Sequence, residues 1–67
     1  MHFDLTVIIP TFNEEENIER MIAMVDAICK AHQITEEILV VDDRSIDRTI
    51  SLVKSLQLKM SNLSLII

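Results

Sequence analysis

Two short apolar runs each end in polar residues and are followed at once by a helix-like segment, and this repeated order limits the possible folds more than any other feature of the chain. The runs are Leu5–Pro10 (LTVIIP) and Glu37–Asp42 (EILVVD). Both are rich in β-branched residues and apolar at successive positions, as suits strands covered on both sides. Pro10 ends the first run because it has no N–H to give to a ladder. Between the runs, Ile18, Met21, Ile22, Val25, Ile28 and Cys29 recur at helical spacing, which predicts a helix from about Glu14 to His32 with one apolar stripe. Asn13 stands where an N-cap belongs, with Glu14, Glu15 and Glu16 at the positive end of the helix dipole. Asn13 and Glu16 also have capping-box spacing. Beyond Asp42, Ser45 or Asp47 is the expected cap of a second helix reaching about Leu58. Ile46, Ile50, Val53 and Leu56 mark its buried side, with Leu52 beside them. A polar turn, Lys59–Asn62, then leads to a third run, Leu63–Ile67 (LSLII).

The order is β-α-β-α-β, so the fold class is α/β. Strands joined through helices run parallel with right-handed crossovers, which gives a three-stranded parallel sheet of order 3-2-1 with both helices on one face. The other face carries either Thr6 and Ile8 or Leu5, Val7 and Ile9. Either set is mostly apolar, so the sheet is built to be covered on both faces while the chain supplies one cover. A homo-oligomer is therefore expected rather than a stable monomer, formed through the bare face or the open edge of the Leu5–Pro10 strand.

Composition excludes several classes of function. With 67 residues the chain is one small domain, and its net charge of −5 argues against a nucleic-acid partner, which needs a basic stripe. A single cysteine, Cys29, rules out an internal disulfide and sits in the helical stripe as a small core residue. His2 and His32 have no partners at metal-ligand spacing, and no metal site is expected. The apolar runs are five or six residues long, far short of the ~20 that span a bilayer, so the default compartment is the cytoplasm. Glycine is absent, so any turn that needs positive φ must use Asn, Asp or a strained residue.

In open α/β sheets, ligands bind outside the C-terminal ends of the strands. There this chain carries Pro10-Thr11-Phe12-Asn13-Glu14 and Asp42-Asp43-Arg44-Ser45-Ile46-Asp47-Arg48-Thr49. The pair resembles the Pro-x-Tyr-Asn-Glu and Asp-Asp-Gly-Ser-x-Asp motifs of family 2 glycosyltransferases. The run Asn-Glu-Glu-Glu-Asn-Ile is most similar to the dolichyl- and polyprenyl-phosphate mannose synthase branch. The resemblance implies the N-terminal part of a Rossmann-like GT-A domain, with residues 1–67 a partial nucleotide-sugar-binding domain that stops before the family's Asp-x-Asp metal motif. It implies a hexosyltransferase that moves a sugar from a UDP- or GDP-sugar to an acceptor, such as a polyprenyl phosphate at the cytoplasmic membrane face. Pro10 and Phe12 would line the base pocket, Glu14 would contact the nucleoside and Asp43 a base N–H. Asp42 would support the loop or join that contact. The family's divalent cation, Mg or Mn, and its catalytic base belong to later motifs. No catalytic residue or bound cation is therefore expected here, and the chain alone is expected to be inactive.

Three residues depart from the family pattern. Phe12 lacks the tyrosine hydroxyl, and Arg44 and Arg48 stand where small residues are frequent. These arginines alternatively offer guanidinium groups to a diphosphate. Ser45 and Asp47 read as caps rather than ligands, and Glu14 reads equally as a first-turn residue. Two other classes remain open. Ile38–Leu56 resembles the first strand and helix of a response-regulator receiver, in which Asp42 and Asp43 would hold magnesium. A receiver, however, has no βα unit before that strand and needs a later phospho-acceptor aspartate. The third reading is an oligomerising β-α-β module without activity.

Overall fold

The computed structural model describes residues 2–67. Strand β1 spans Leu5–Thr11, helix α1 Ile18–Ala31, strand β2 Glu36–Asp42, helix α2 Thr49–Gln57 and strand β3 Leu63–Ile66. The strands form one parallel sheet in the order β1-β2-β3. The register pairs Leu5 with Glu36 at one end and Thr11 with Asp42 at the other. That register sets the last side chains of β1 and β2 next to each other, which positions the site described below.

Ile9 of β1, Ile38 and Val40 of β2 and Leu63 of β3 pack with Ile18 and Ile22 of α1 and Val53 of α2 in one buried cluster. Both helices share this cluster, so both lie on the same face of the sheet. The period of two along each strand sends the alternate residues to the other face. It is the Thr6–Ile8 set that faces away: Ile8 is 61% exposed, Ile66 52% and Val41 38%. The sheet therefore keeps a largely apolar face that neither α1 nor α2 covers among the described residues.

The helices begin later than periodicity suggests. α1 starts at Ile18, not Glu14. Asn13 has φ 51°, in the left-handed region, so it does not lead into a helix. Its side chain accepts a bond from the Ile46 N–H at 3.0 Å. The Asn13–Glu16 capping box does not form. Residues 14–17 make a turn in which the N–H groups of Asn17 and Ile18 both donate to the Glu14 carbonyl. The N-cap is Asn17, whose side chain makes no cap bond and accepts instead from Arg20. α2 begins at Thr49, which leaves Ile46 in the preceding loop and 92% exposed. Ile28 also departs from the expected stripe and is 53% exposed.

α1 ends in a Schellman arrangement. The Ile34 N–H donates to the Cys29 carbonyl and the Gln33 N–H to the Lys30 carbonyl, and Gln33 takes φ 57°. Glycine is the usual residue at that position, and here glutamine holds it.

A buried acid lies at the foot of the sheet. Glu36, the first residue of β2, is 5% exposed, and its Oε1 and its carbonyl oxygen both accept from Asn62 Nδ2. Burial, and then the neighbouring Asp26 carboxyl, push the Glu36 carboxyl above its usual value. Lys30, and then Glu36, hold Asp26 below its own. Burial and the Glu36 charge push up the Cys29 thiol, which favours its neutral form. A raised carboxyl contributes stability that is complete below its unfolded value, 4.5 here, and is lost as pH rises through the folded value. Asp26 works in the opposite sense on the acid side, where its contribution is lost as pH falls through its depressed value. Glu36→Gln should therefore melt close to the wild type near pH 4 and progressively above it as pH rises towards neutrality. Thermal melts across that range would show this, and a constant or reversed gap would contradict it.

Candidate functional site

Two loops form the mouth at the C-terminal ends of β1 and β2, one from Phe12 to Asn17 and the other from Asp43 to Arg48. Asp42 is the residue that ties them together. It is 3% exposed, and its Oδ1 accepts from the Thr11 hydroxyl at 2.7 Å and the Ser45 hydroxyl at 2.6 Å. Its Oδ2 accepts from the Ser45 N–H at 2.7 Å. Burial alone would raise its pKa, but the Ser45 hydroxyl, the Ser45 N–H and the Thr11 hydroxyl outweigh burial and hold it below the usual carboxylate range. Asp42 is thus an ionised internal acceptor with both oxygens occupied by the protein.

The tie continues outward from Ser45. Its oxygen donates to Asp42 and accepts from the Asn13 N–H at 2.8 Å. Asn13 returns the link by accepting from the Ile46 N–H. A second tie runs in parallel. Asp47 accepts from the Thr49 N–H and hydroxyl through Oδ1, and from the Glu15 N–H at 3.1 Å through Oδ2. Thr49 is fully buried, and its hydroxyl accepts from the Glu14 N–H at 2.8 Å. The Asp47 carboxyl is also held low, burial being outweighed by the Thr49 hydroxyl and N–H and the Glu15 N–H. The N-cap of α2 is Arg48, with no side-chain cap bond, rather than Ser45 or Asp47; Asp47 bonds the Thr49 N–H from one position further out, while Ser45 belongs to the Asp42 tie. Arg48 Nε closes the clasp on Glu15 Oε2 at 3.0 Å.

The clasp divides the motif residues into two groups. Asp42, Ser45, Asp47 and Thr49 face inward and, with the exposed Asn13, satisfy backbone N–H groups. Facing solvent are Phe12, 60% exposed, Asp43, whose side chain is 79% exposed, and with them Asn13, Arg44, Ile46 and Arg48. Pro10 is also exposed, and Glu14 is half-buried. The backbone under Asp43 is fixed, since its N–H donates to the Thr11 carbonyl at 2.9 Å. The mouth thus offers an aromatic face and an acceptor-only carboxylate on a rigid base, with Glu14 on the first of its two loops. This combination suits packing against a base and accepting from an amino or imino donor. Thr11, Asn13, Ser45 and Thr49 as loop ties are structural roles that sequence reasoning missed. Their one signal is the density of Asn, Ser, Thr and Asp at both strand ends, residues that bond backbone N–H groups.

Among the described residues, no three His, Cys, Asp or Glu side chains come together in a way that would hold a metal ion. A hollow of about 340 Å3 lies at the other end of the sheet, where Glu36 and Asp26 sit. No helix among the described residues is long and apolar enough to cross a membrane.

Comparison with known proteins agrees with this geometry. Residues 6–66 match the model of glycosyl transferase family 2. The chain is 35% identical over 69 aligned residues to an uncharacterised glycosyltransferase of Synechocystis sp., covering 96% of this chain and 22% of that protein. It is 47% identical over 45 residues to a dolichol-phosphate mannosyltransferase of Pyrococcus furiosus, covering 67% of this chain and 12% of that protein. The chain thus spans less than a quarter of the length of these relatives. The family match takes in β1, which a receiver domain has no counterpart for. With the family model matched over residues 6–66, the chain belongs to glycosyl transferase family 2.

Proposed function

We propose that this chain forms the nucleoside half of the donor site of a hexosyltransferase that uses a UDP- or GDP-sugar. The observation that carries this reading is the division of the mouth: Asp42 is consumed by Thr11 and Ser45, while its neighbour Asp43, anchored through its N–H to the Thr11 carbonyl next to Phe12 in the chain, keeps its carboxylate exposed. A carboxylate kept free at a sheet mouth contributes nothing to the clasp and is placed to meet a donor group. Phe12 and Pro10 supply the apolar surface for a base and Glu14 a further acceptor. The similarity to a dolichol-phosphate mannosyltransferase supports a polyprenyl phosphate as acceptor. The chemistry of these residues is binding and orientation. Sugar transfer needs groups beyond them, including a divalent cation in the family, which these side chains do not assemble to hold. Residues 1–67 are accordingly read as a partial domain that binds nucleotide without transferring sugar.

Titration with UDP and GDP in magnesium, followed by backbone amide shifts, tests the reading. Shifts centred on Phe12, Glu14 and Asp43 are expected for at least one nucleotide. No response to either, or a response to magnesium with a phosphoryl analogue alone, would refute it. Measurable sugar transfer by the chain would refute its partial character.

Self-association over the bare sheet face is a second part of the proposal, with Ile8, Val41 and Ile66 at the contact. Sedimentation at micromolar concentration should show a dimer, and a sharp monomer boundary would remove this part alone.

A further inference from the structure

The two loops at the mouth carry Glu14, Glu15, Glu16, Asp43 and Asp47, with Asp42 beneath them. A nucleotide donor brings more negative charge to this acidic surface, so positive charge on these loops would favour its binding. Three arginines stand near, and two are committed. Arg20 donates to Asn17 Oδ1 at 2.7 Å, and Arg48 donates to Glu15 Oε2 at 3.0 Å. The Arg44 guanidinium makes no hydrogen bond among the described residues. Its nearest acid is Asp43, at 3.9 Å, which is beyond hydrogen-bond reach.

The backbone of Arg44 points the same way. It takes φ 55°, where a Cβ crowds the following carbonyl. The other two residues with positive φ have a local reason for it: Asn13 through its bond from Ile46, and Gln33 through the helix terminus it closes. Arg44 has neither. It is held there from both sides, by the Asp43 N–H on the Thr11 carbonyl and the Ser45 N–H on Asp42. The result is a guanidinium raised on a fixed turn, 87% exposed, beside the carboxylate assigned to the base. Strained positions held by their surroundings gather at ligand sites.

We propose that Arg44 receives the phosphate charge of the nucleotide donor and so gives this site its preference for a nucleoside diphosphate over the nucleoside. The inference rests on the donor-site reading above. The guanidinium is planar and weakly hydrated, and its forked donors match phosphate oxygens. Asp43 and Arg44 then divide the donor between them, the carboxylate taking the base and the guanidinium the phosphates.

The test compares uridine, UMP and UDP, and their guanine counterparts, on the wild-type chain and on Arg44→Gly and Arg44→Asn, without magnesium. Both variants tolerate the left-handed conformation, so each should melt at or above the wild-type temperature. Wild type should bind one diphosphate about tenfold or more tighter than its nucleoside, as one charge-assisted contact allows. Both variants should lose that gain and keep the nucleoside affinity. A folded variant that retains the diphosphate preference overturns the role of Arg44 and leaves the donor site standing. Absence of any nucleoside or nucleotide binding by the wild type overturns the donor-site reading, and this inference with it.

Discussion

The buried carboxylate of Asp42 is the constraint on which the mouth of this sheet depends. Burying a charge is costly unless hydrogen bonds satisfy it, and here two hydroxyls and a backbone N–H do so. These bonds give back more than charge balance. Thr11 brings in the end of β1, and Ser45 brings in the loop after β2 and passes the link on to Asn13. Because β1 and β2 are parallel and in register from Leu5 to Thr11, Thr11 and Asp42 arrive side by side with no further device. A short parallel sheet thus fixes two loops through one acid.

This accounts for a chain without glycine holding turns that usually call for it. Left-handed conformations at Asn13, Gln33 and Arg44 carry a backbone cost of roughly 1–2 kcal/mol for a residue with a Cβ. Bonds between the loops offset that cost at Asn13, and helix-end bonds do so at Gln33. At Arg44 the flanking ties impose it. The fixed loops leave Asp43 and Phe12 outside, where we propose that the base of the donor is met.

Much of the fold is legible from periodicity. The β-α-β-α-β order, the parallel pairing and the strand order follow from two apolar runs, a helical stripe between them and a third run after a turn. The direction of the sheet faces is not legible, because Thr6–Ile8 and Val7–Ile9 are similarly apolar. Only packing against Ile18, Ile22 and Val53 chooses between them. Helix starts are misplaced for a related reason. Asn13 has the local spacing of a cap, but its partner Ile46 lies 33 positions away. Ile46 continues the spacing of Ile50 and Val53, yet the bonds of Asp47 start α2 at Thr49. Glu36 lies just before the second apolar run in the sequence, and its burial depends on the fold, where Asn62 in the turn before β3 bonds it. In the site, the strand-end motifs are visible in the sequence. The different roles of Asp42 and Asp43, adjacent and chemically identical, come from which one the pleat turns inward.

Amide hydrogen exchange on the wild type and on Asp42→Asn tests the central claim most directly. The substitution keeps the shape of the side chain but replaces one acceptor oxygen with a donor. If Asp42 ties the loops, the amides of Asn13, Ser45 and Ile46 should be protected in the wild type and exchange much faster in the variant. Ile38 and Val40 in the core should stay protected. Unchanged protection at Asn13, Ser45 and Ile46 would show that the loops hold without Asp42 and would contradict the account.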